Sequence, residues 1–271
     1  MTANGSNEYS KESEPIVLIS RDGPVATMTL NRPGQFNALS EAMLDSLTDQ
    51  LNQLSKDESI RVVVLAASGK AFCAGHDLRE MMSAPTADYY RELFRRCTRM
   101  MMTIQRMPQP VIARVQGVAT AAGCQLVAMC DLAFAANHAK FAVSGVNLGL
   151  FCSTPSVPLS RNVSRKDAFE MLVTGRFISA DEARDKGLVN GVCELDQLDA
   201  VIQDMASQIC SKPAVAIKAG KQLFYRQLET GIEAAYQMAG ETMACNMMAS
   251  DTLEGVQAFL DKRPPDWKSG R

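Results

Sequence analysis

The sequence is poor in histidine: its 271 residues hold two, His76 and His138. A His-rich metal centre is therefore out of reach, and none is expected. Eight cysteines are present, at positions 73, 97, 124, 130, 152, 193, 210 and 245, but none forms a Cys-x-x-Cys pair. Several lie in apolar runs, where a free thiol behaves as a small hydrophobe. That usage fits a reducing compartment and no zinc site. Excess charge is also missing. The formal net charge is −2, so no basic surface announces nucleic acid or anionic lipid. No apolar run reaches the ~20 residues that a membrane span needs. The most apolar stretch lies between Arg114 and Asp131 and is interrupted by Gln116 and Gln125.

What is present is an ordinary globular balance, 46% hydrophobic and 21% charged. Its length gives room for one large domain, or one domain plus a small appendage, with a substantial core. Met1 to Pro15 are polar and carry Glu8, Glu12 and Glu14. They read as a disordered leader, with neither the apolar stretch of a secretory signal nor the Arg-rich composition of a transit peptide. Apolar runs at 16–20 and 25–30 flank Arg21-Asp22-Gly23-Pro24 and predict a β-hairpin. Met43, Leu47, Leu51 and Leu54 recur at helical spacing behind a cap at Ser40. Residues 61–67 form a buried strand, 68–78 a loop entering a helix, and 86–107 a long helix stopped by Pro108 and Pro110. Strands are expected at 111–115, 132–135 and 141–143. Alternation of strands with helices gives an α/β fold with a largely parallel sheet. Helices dominate from about residue 164. Ser179-Ala180-Asp181-Glu182 spells a capping box, and helices follow at 196–210, 213–228, 231–248 and 251–262. The Met-rich faces of the last helices (Met238, Met243, Met247, Met248) suit packing on a core or on a partner subunit.

The chain is organised around residues 116–131. The strand at 111–115 runs into Gly117, Thr120, Ala121, Ala122 and Gly123, and a helix follows. Small residues leave backbone N–H groups uncovered, and a helix start aims them at an anion or a developing oxyanion. Small residues also serve tight packing, so these residues alone leave both readings open.

Four ordered blocks resemble the crotonase (enoyl-CoA hydratase/isomerase) superfamily over nearly the whole chain. They are Asn31-Arg32-Pro33 with Asn37-Ala38-Leu39; Gly69 through Leu78, with Ala74-Gly75-His76-Asp77; Gly117 through Asp131; and Ala180-Asp181-Glu182-Ala183 with Gly187-Leu188-Val189. The resemblance implies a repeated ββα spiral core over residues 16–195. It also implies a C-terminal helical region, 196–271, that builds a homotrimer or a hexamer. It implies an acyl-CoA ligand, no other cofactor, and a mitochondrial location. Backbone N–H groups at His76 and at Ala122, before Gly123, would hold the thioester carbonyl. Ala74, Asp77 and Leu78 would flank the coenzyme, with Phe259, Lys262 and Arg263 of the C-terminal run covering its adenine and phosphates.

In two positions the pattern departs from the family's hydratases, which activate water with two glutamates. The first glutamate position is Gln125, which cannot exchange protons near neutral pH, and the second is Gly145, which has no side chain. Between Cys124 and Leu159 the one acid is Asp131, which reads as a structural strand-entry residue. Ordinary hydratase chemistry is therefore unexpected. An enolate-stabilising reaction or a non-catalytic acyl-CoA-binding module are the alternatives. The family's methylmalonyl-CoA decarboxylases share Ala-Gly-His-Asp and Val-Asn-Leu-Gly, here Ala74–Asp77 and Val146–Gly149, but place Tyr where this chain has Cys152.

Overall fold

A computed structural model describes residues 14–267, so the first thirteen residues of the polar leader lie outside the described residues. Among the described residues, ten strands form two sheets. The strands are β1 (Val17–Asp22), β2 (Val25–Leu30), β3 (Val62–Ala67), β4 (Ala71–Cys73), β5 (Val111–Val115), β6 (Val118–Thr120), β7 (Leu132–Ala136), β8 (Lys140–Ala142), β9 (Ile178–Ser179) and β10 (Gly191–Cys193). The larger sheet runs β1-β2-β3-β5-β7-β10 and the smaller β4-β6-β8-β9. Only β1–β2 and β8–β9 pair antiparallel.

The topology explains the winding. In the successive pairs β3–β4, β5–β6 and β7–β8, the first strand joins the large sheet and the second joins the small one. A helix or helix pair follows each, so every ββα unit advances both sheets by one strand. This is the repeated spiral expected above. The β-branched runs fit it, because a parallel sheet buried on both faces needs continuous apolar strands. All six residues of β3 are buried. Val63 and Leu65 enter the main core, while Val62 and Val64 lie under the Leu198–Cys210 helix with Leu198, Ile202 and Ala206. That helix therefore covers the sheet, although the sequence groups it with the C-terminal region.

Asp131 has the structural role expected of it. Its Oδ2 accepts from Val111 N at 2.6 Å and from Lys221 Nζ at 2.7 Å, and its Oδ1 accepts from Tyr225 at 2.8 Å. Lys221 also donates to the carbonyls of Ile104 and Gln109, both at 2.8 Å. One buried ion pair thus ties the Ala214–Gln227 helix to the spiral. The helices beyond it, Ile232–Met247 and Ser250–Leu260, bury little. Ile232 is 78% exposed and Met243 68%, so their apolar faces do not pack on this chain's own core.

Several short elements differ from the sequence reading, among them β9 and β10, which fall where only helices are expected. β4 and β6 have three residues each and lie in stretches read as loop and turn. Such strands are too short to show a period, and pairing with each other stabilises them. The Ser153–Asn162 helix was hidden by Pro155 and Pro158; Pro155 falls in its first turn, where the missing N–H costs no helical bond.

Candidate active site

β6 ends at Thr120, and the Ala122–Met129 helix begins two residues later. Between them Ala121 has φ 51° and ψ −121°, a conformation that alanine rarely adopts. Such strain costs roughly 1–3 kcal/mol and persists only where the surroundings enforce it. Here Ala121 N is held by Ala142 O at 2.9 Å, and its carbonyl receives Gln125 N at 3.0 Å. The first N–H groups of the helix have no partner within it, and the dipole makes this end positive. Ala122 supplies the first of them. Gly123, buried in the same turn, stands against the Cys73 carbonyl with no space for a side chain.

The loop facing this turn is Ala74–Asp77. Ala74 N donates to Phe36 O, and Leu39 N donates to Gly75 O at 2.8 Å. Gly75 has φ +90°, and a Cβ there would lie 3.0 Å from Ala121 Cβ and 3.1 Å from Ala122 N. The chain therefore passes directly against the helix start just before His76. The two positions assigned to the oxyanion, His76 and Ala122, are neighbours across this contact. The Asn37 side chain fixes the supporting segment. It accepts from Arg32 N and donates to the carbonyls of Ser68 and Ala71, each at 2.9 Å. Asn37 and Phe36 both have positive φ, which explains an Asn in this block.

A cavity of about 510 Å³ opens beside the turn. His76, Ala122, Gly145 and Cys152 are on its wall, as are the coenzyme candidates Ala74, Asp77 and Leu78. Met81, Phe94, Leu148 and Phe151 make much of the wall apolar. Among the described residues Asp77 is the one carboxylate on it, and its Oδ1 caps the Leu78–Ser83 helix by accepting from Arg79 N and Glu80 N. His76 lies edge-on to Phe94 with ring centres 5.6 Å apart. Its Nδ1 is 3.4 Å from Leu39 O, and its Nε2 is buried with no partner. Burial pushes its pKa below the usual 6.5, against a smaller opposing effect of the Leu39 carbonyl. The imidazole is therefore neutral at neutral pH.

The two glutamate-equivalent positions behave differently. Gln125 is buried behind the wall, and its Oε1 has no partner. Gly145 is on the wall, but a Cβ there would lie 2.5 Å from Leu150 O and 2.8 Å from Cys152 Sγ. Gly145 N donates to Cys152 Sγ at 3.2 Å, and Leu150 N donates to Gly145 O at 3.0 Å. The loop has closed over the space that a side chain would use. Burial raises the Cys152 thiol above its ordinary pKa, with the Gly145 N–H opposing, so Cys152 is a protonated, weakly nucleophilic group.

Phe259 and Lys262 are not brought to this cavity within the chain. Phe259 is 82% exposed at the end of the last helix. Arg263 pairs with Glu254 at 2.6 Å and with Asp261 at 3.5 Å, so its charge is already met. Sequence reasoning passed over Ser144, whose Oγ lies 2.8 Å from Thr120 Oγ1, and Arg79, a cation on the wall. Nothing in the spacing marks Ser144; its neighbour Gly145 was the only signal.

Fold and site together define a class: a ββα spiral in which a strained helix start lies against a facing loop beside a largely apolar cavity. Residues 20–270 match the enoyl-CoA hydratase/isomerase family, and the chain belongs to it. It is 44% identical over 258 residues to mouse "Enoyl-CoA hydratase domain-containing protein 3, mitochondrial", covering 94% of this chain and 86% of the relative. The crystal structure of the human protein of that name superposes with a TM-score of 0.90 at 41% identity, covering 93% and 100% of the two chains. An enoyl-CoA hydratase structure from Mycobacterium smegmatis superposes with a TM-score of 0.93 at 64% identity, covering 94% and 99%.

Proposed function

We propose that the cavity binds an acyl thioester of coenzyme A, its carbonyl on the backbone N–H groups of His76 and Ala122, and stabilises an enolate without activating water. The observation that carries this reading is a contrast within one site. The Gly75–Ala122 contact keeps both backbone donors together, whereas Leu150 O and Cys152 Sγ fill the space beside Gly145. Backbone donors survive side-chain change, and they are the larger electrostatic contribution in such sites. Water activation needs a group that exchanges protons, and Gln125 is not one. No cofactor beyond the thioester is required.

The exposed apolar faces around Ile232 and Met243 support assembly into a homotrimer or hexamer, with residues from 214 onward as the contact region. In that assembly Phe259 and Lys262 serve the coenzyme at a neighbour's cavity. Mass measurement in solution tests this; a stable monomer at micromolar concentration refutes it. A mitochondrial location follows the names of the vertebrate relatives, and imaging of the tagged protein in its source cells checks it. The reaction is tested with a panel of acyl-CoA thioesters, malonyl types included, assayed for CO₂, free thiol and loss of the double bond. Binding of the panel without hydration is expected. Calorimetry showing no binding of any acyl-CoA refutes the reading.

A further inference from the structure

The sole tryptophan of the sequence, Trp267, lies in the tail that follows the last helix. Gly255 stands in the middle of that helix, Ser250–Leu260, where glycine is a poor helix former. The indole accounts for it. A Cβ on Gly255 would lie 2.8 Å from Trp267 Cη2 and 3.0 Å from Cζ3, so the ring rests on bare helix backbone. From the opposite edge of the ring, Nε1 donates to Ser211 O at 3.0 Å, at the C-terminal cap of the Leu198–Cys210 helix. The half-buried side chain thus wedges between the last helix and the helix that covers the sheet.

Few side chains of the last helix fix it on its own chain. Of its 11 residues only Asp251 and Ala258 are buried. The chain leaves it through Lys262, at φ 55°, and turns back so that Asp266 N donates to Glu254 Oε1 at 2.8 Å. Arg263 pairs with Glu254 in the same hook, but the pair is partly exposed and such pairs add little. Phe259 and Lys262 therefore sit between the helix and the point where Trp267 pins the returning chain. Releasing the ring frees the bend that carries them.

We propose that Trp267 is a positioning residue for the coenzyme: by pinning the tail onto Gly255 and Ser211 it holds Phe259 and Lys262 in the arrangement that meets the adenosine-phosphate end of a bound acyl-CoA. This rests on the reading that Phe259 and Lys262 serve the coenzyme. Trp267 acts through them and does not itself touch the ligand. Its loss lets the bend move, and binding must then order that bend again, a cost that falls on affinity. The cost applies to thioesters that carry the adenosine end and not to those that lack it, because the acyl cavity is built from other segments.

The test is calorimetric titration of wild type, Trp267→Ala, Gly255→Ala and the double variant with butyryl-CoA and with butyryl-pantetheine, which lacks the adenosine phosphates. Trp267→Ala should weaken butyryl-CoA binding about three- to tenfold and leave butyryl-pantetheine unchanged. Gly255→Ala puts a methyl group where the ring rests and should cause a similar loss. In the double variant it should add nothing, since the ring it displaces is already gone. The single tryptophan gives a second reading: Gly255→Ala should shift its fluorescence toward that of an exposed indole, and an unshifted emission overturns the wedge. Equal losses with the two thioesters, or no loss in Trp267→Ala, overturn the coenzyme role. Equal wild-type affinity for the two thioesters overturns it as well, because no adenosine contact is then made. Absence of binding by every thioester in wild type is a distinct result, and it overturns the assignment of the cavity together with the coenzyme role of Trp267.

Discussion

Replacing Gly145 by alanine asks a methyl group to enter a place already filled. Its Cβ would lie 2.5 Å from Leu150 O and 2.8 Å from Cys152 Sγ. A thiol can rotate away, but a backbone oxygen moves only with its loop. That loop is tied by Leu150 N to Gly145 O at 3.0 Å and by Gly145 N to Cys152 Sγ at 3.2 Å. Overpacking of this kind costs about 1–3 kcal/mol. Each hydrogen bond weakened by the shift adds about 0.5–1.5 kcal/mol. The expected loss is therefore about 2–4 kcal/mol, which in a chain of this size lowers Tm by about 5–15 °C. Circular dichroism melts at fixed protein concentration measure it. Cys152→Ala in the same chain removes the sulfur contact but not the carbonyl contact, so it should recover only part of the loss. The chemical consequence is that Gln125→Glu with Gly145→Glu gains no useful hydration of crotonyl-CoA, because the second carboxylate has no seat. A Gly145→Ala melt within about 1 °C of wild type would refute the steric reasoning, as would rapid hydration by the two-carboxylate variant.

Other perturbations follow from the same contacts. Lys221, with its side chain 5% exposed, is the countercharge of half-buried Asp131. Lys221→Met should cost about 3–5 kcal/mol in urea unfolding, and a loss below about 1 kcal/mol contradicts the role given to the pair. Burial lowers the His76 pKa in the folded chain. The unfolded chain therefore takes up the proton first as pH falls, so stability is full above the unfolded value of about 6.5 and declines below it until the folded pKa is reached. Between about pH 7.5 and about pH 5.5 wild type should lose more stability than His76→Gln, and identical slopes would contradict the burial of a neutral imidazole. Lys262→Ala should weaken butyryl-CoA binding, and less so at high salt. Arg263→Ala should leave binding nearly unchanged, because Glu254 and Asp261 already engage it; the reverse order of effects refutes the assignment.

The fold was legible wherever a residue's role is local. Ser40 and Ser179 each cap the helix that the spacing assigns them, and Ser179 with Glu182 completes the capping box. The β-branched runs of β3 and β5 are buried as their composition requires. What spacing could not reveal depends on contacts between distant segments. β4 and β6 exist because they pair with each other. The Leu198–Cys210 helix joins the core because β3, β5 and β7 present Val64, Ile112 and Phe134 to it. At the site, the small residues left packing and anion binding equally open. The contact between Gly75 and the strained Ala121 favours a presented turn, and only the three-dimensional arrangement contains it. In the sequence Gly145 marks a lost side chain. Its neighbours add that the loss is built in, since Leu150 and Cys152 have taken the space.

The measurement closest to the central claim pairs two readings on one preparation. Butyryl-CoA is titrated by calorimetry, and crotonyl-CoA is followed by loss of the enoyl thioester absorbance beside an ordinary hydratase of the family. Saturable butyryl-CoA binding is expected, with crotonyl-CoA hydration at least about a hundredfold slower than the reference enzyme, the usual cost of losing even one acid–base group. Hydration at the reference rate would contradict the claim, because it requires a proton-transfer group that neither Gln125 nor Gly145 can supply.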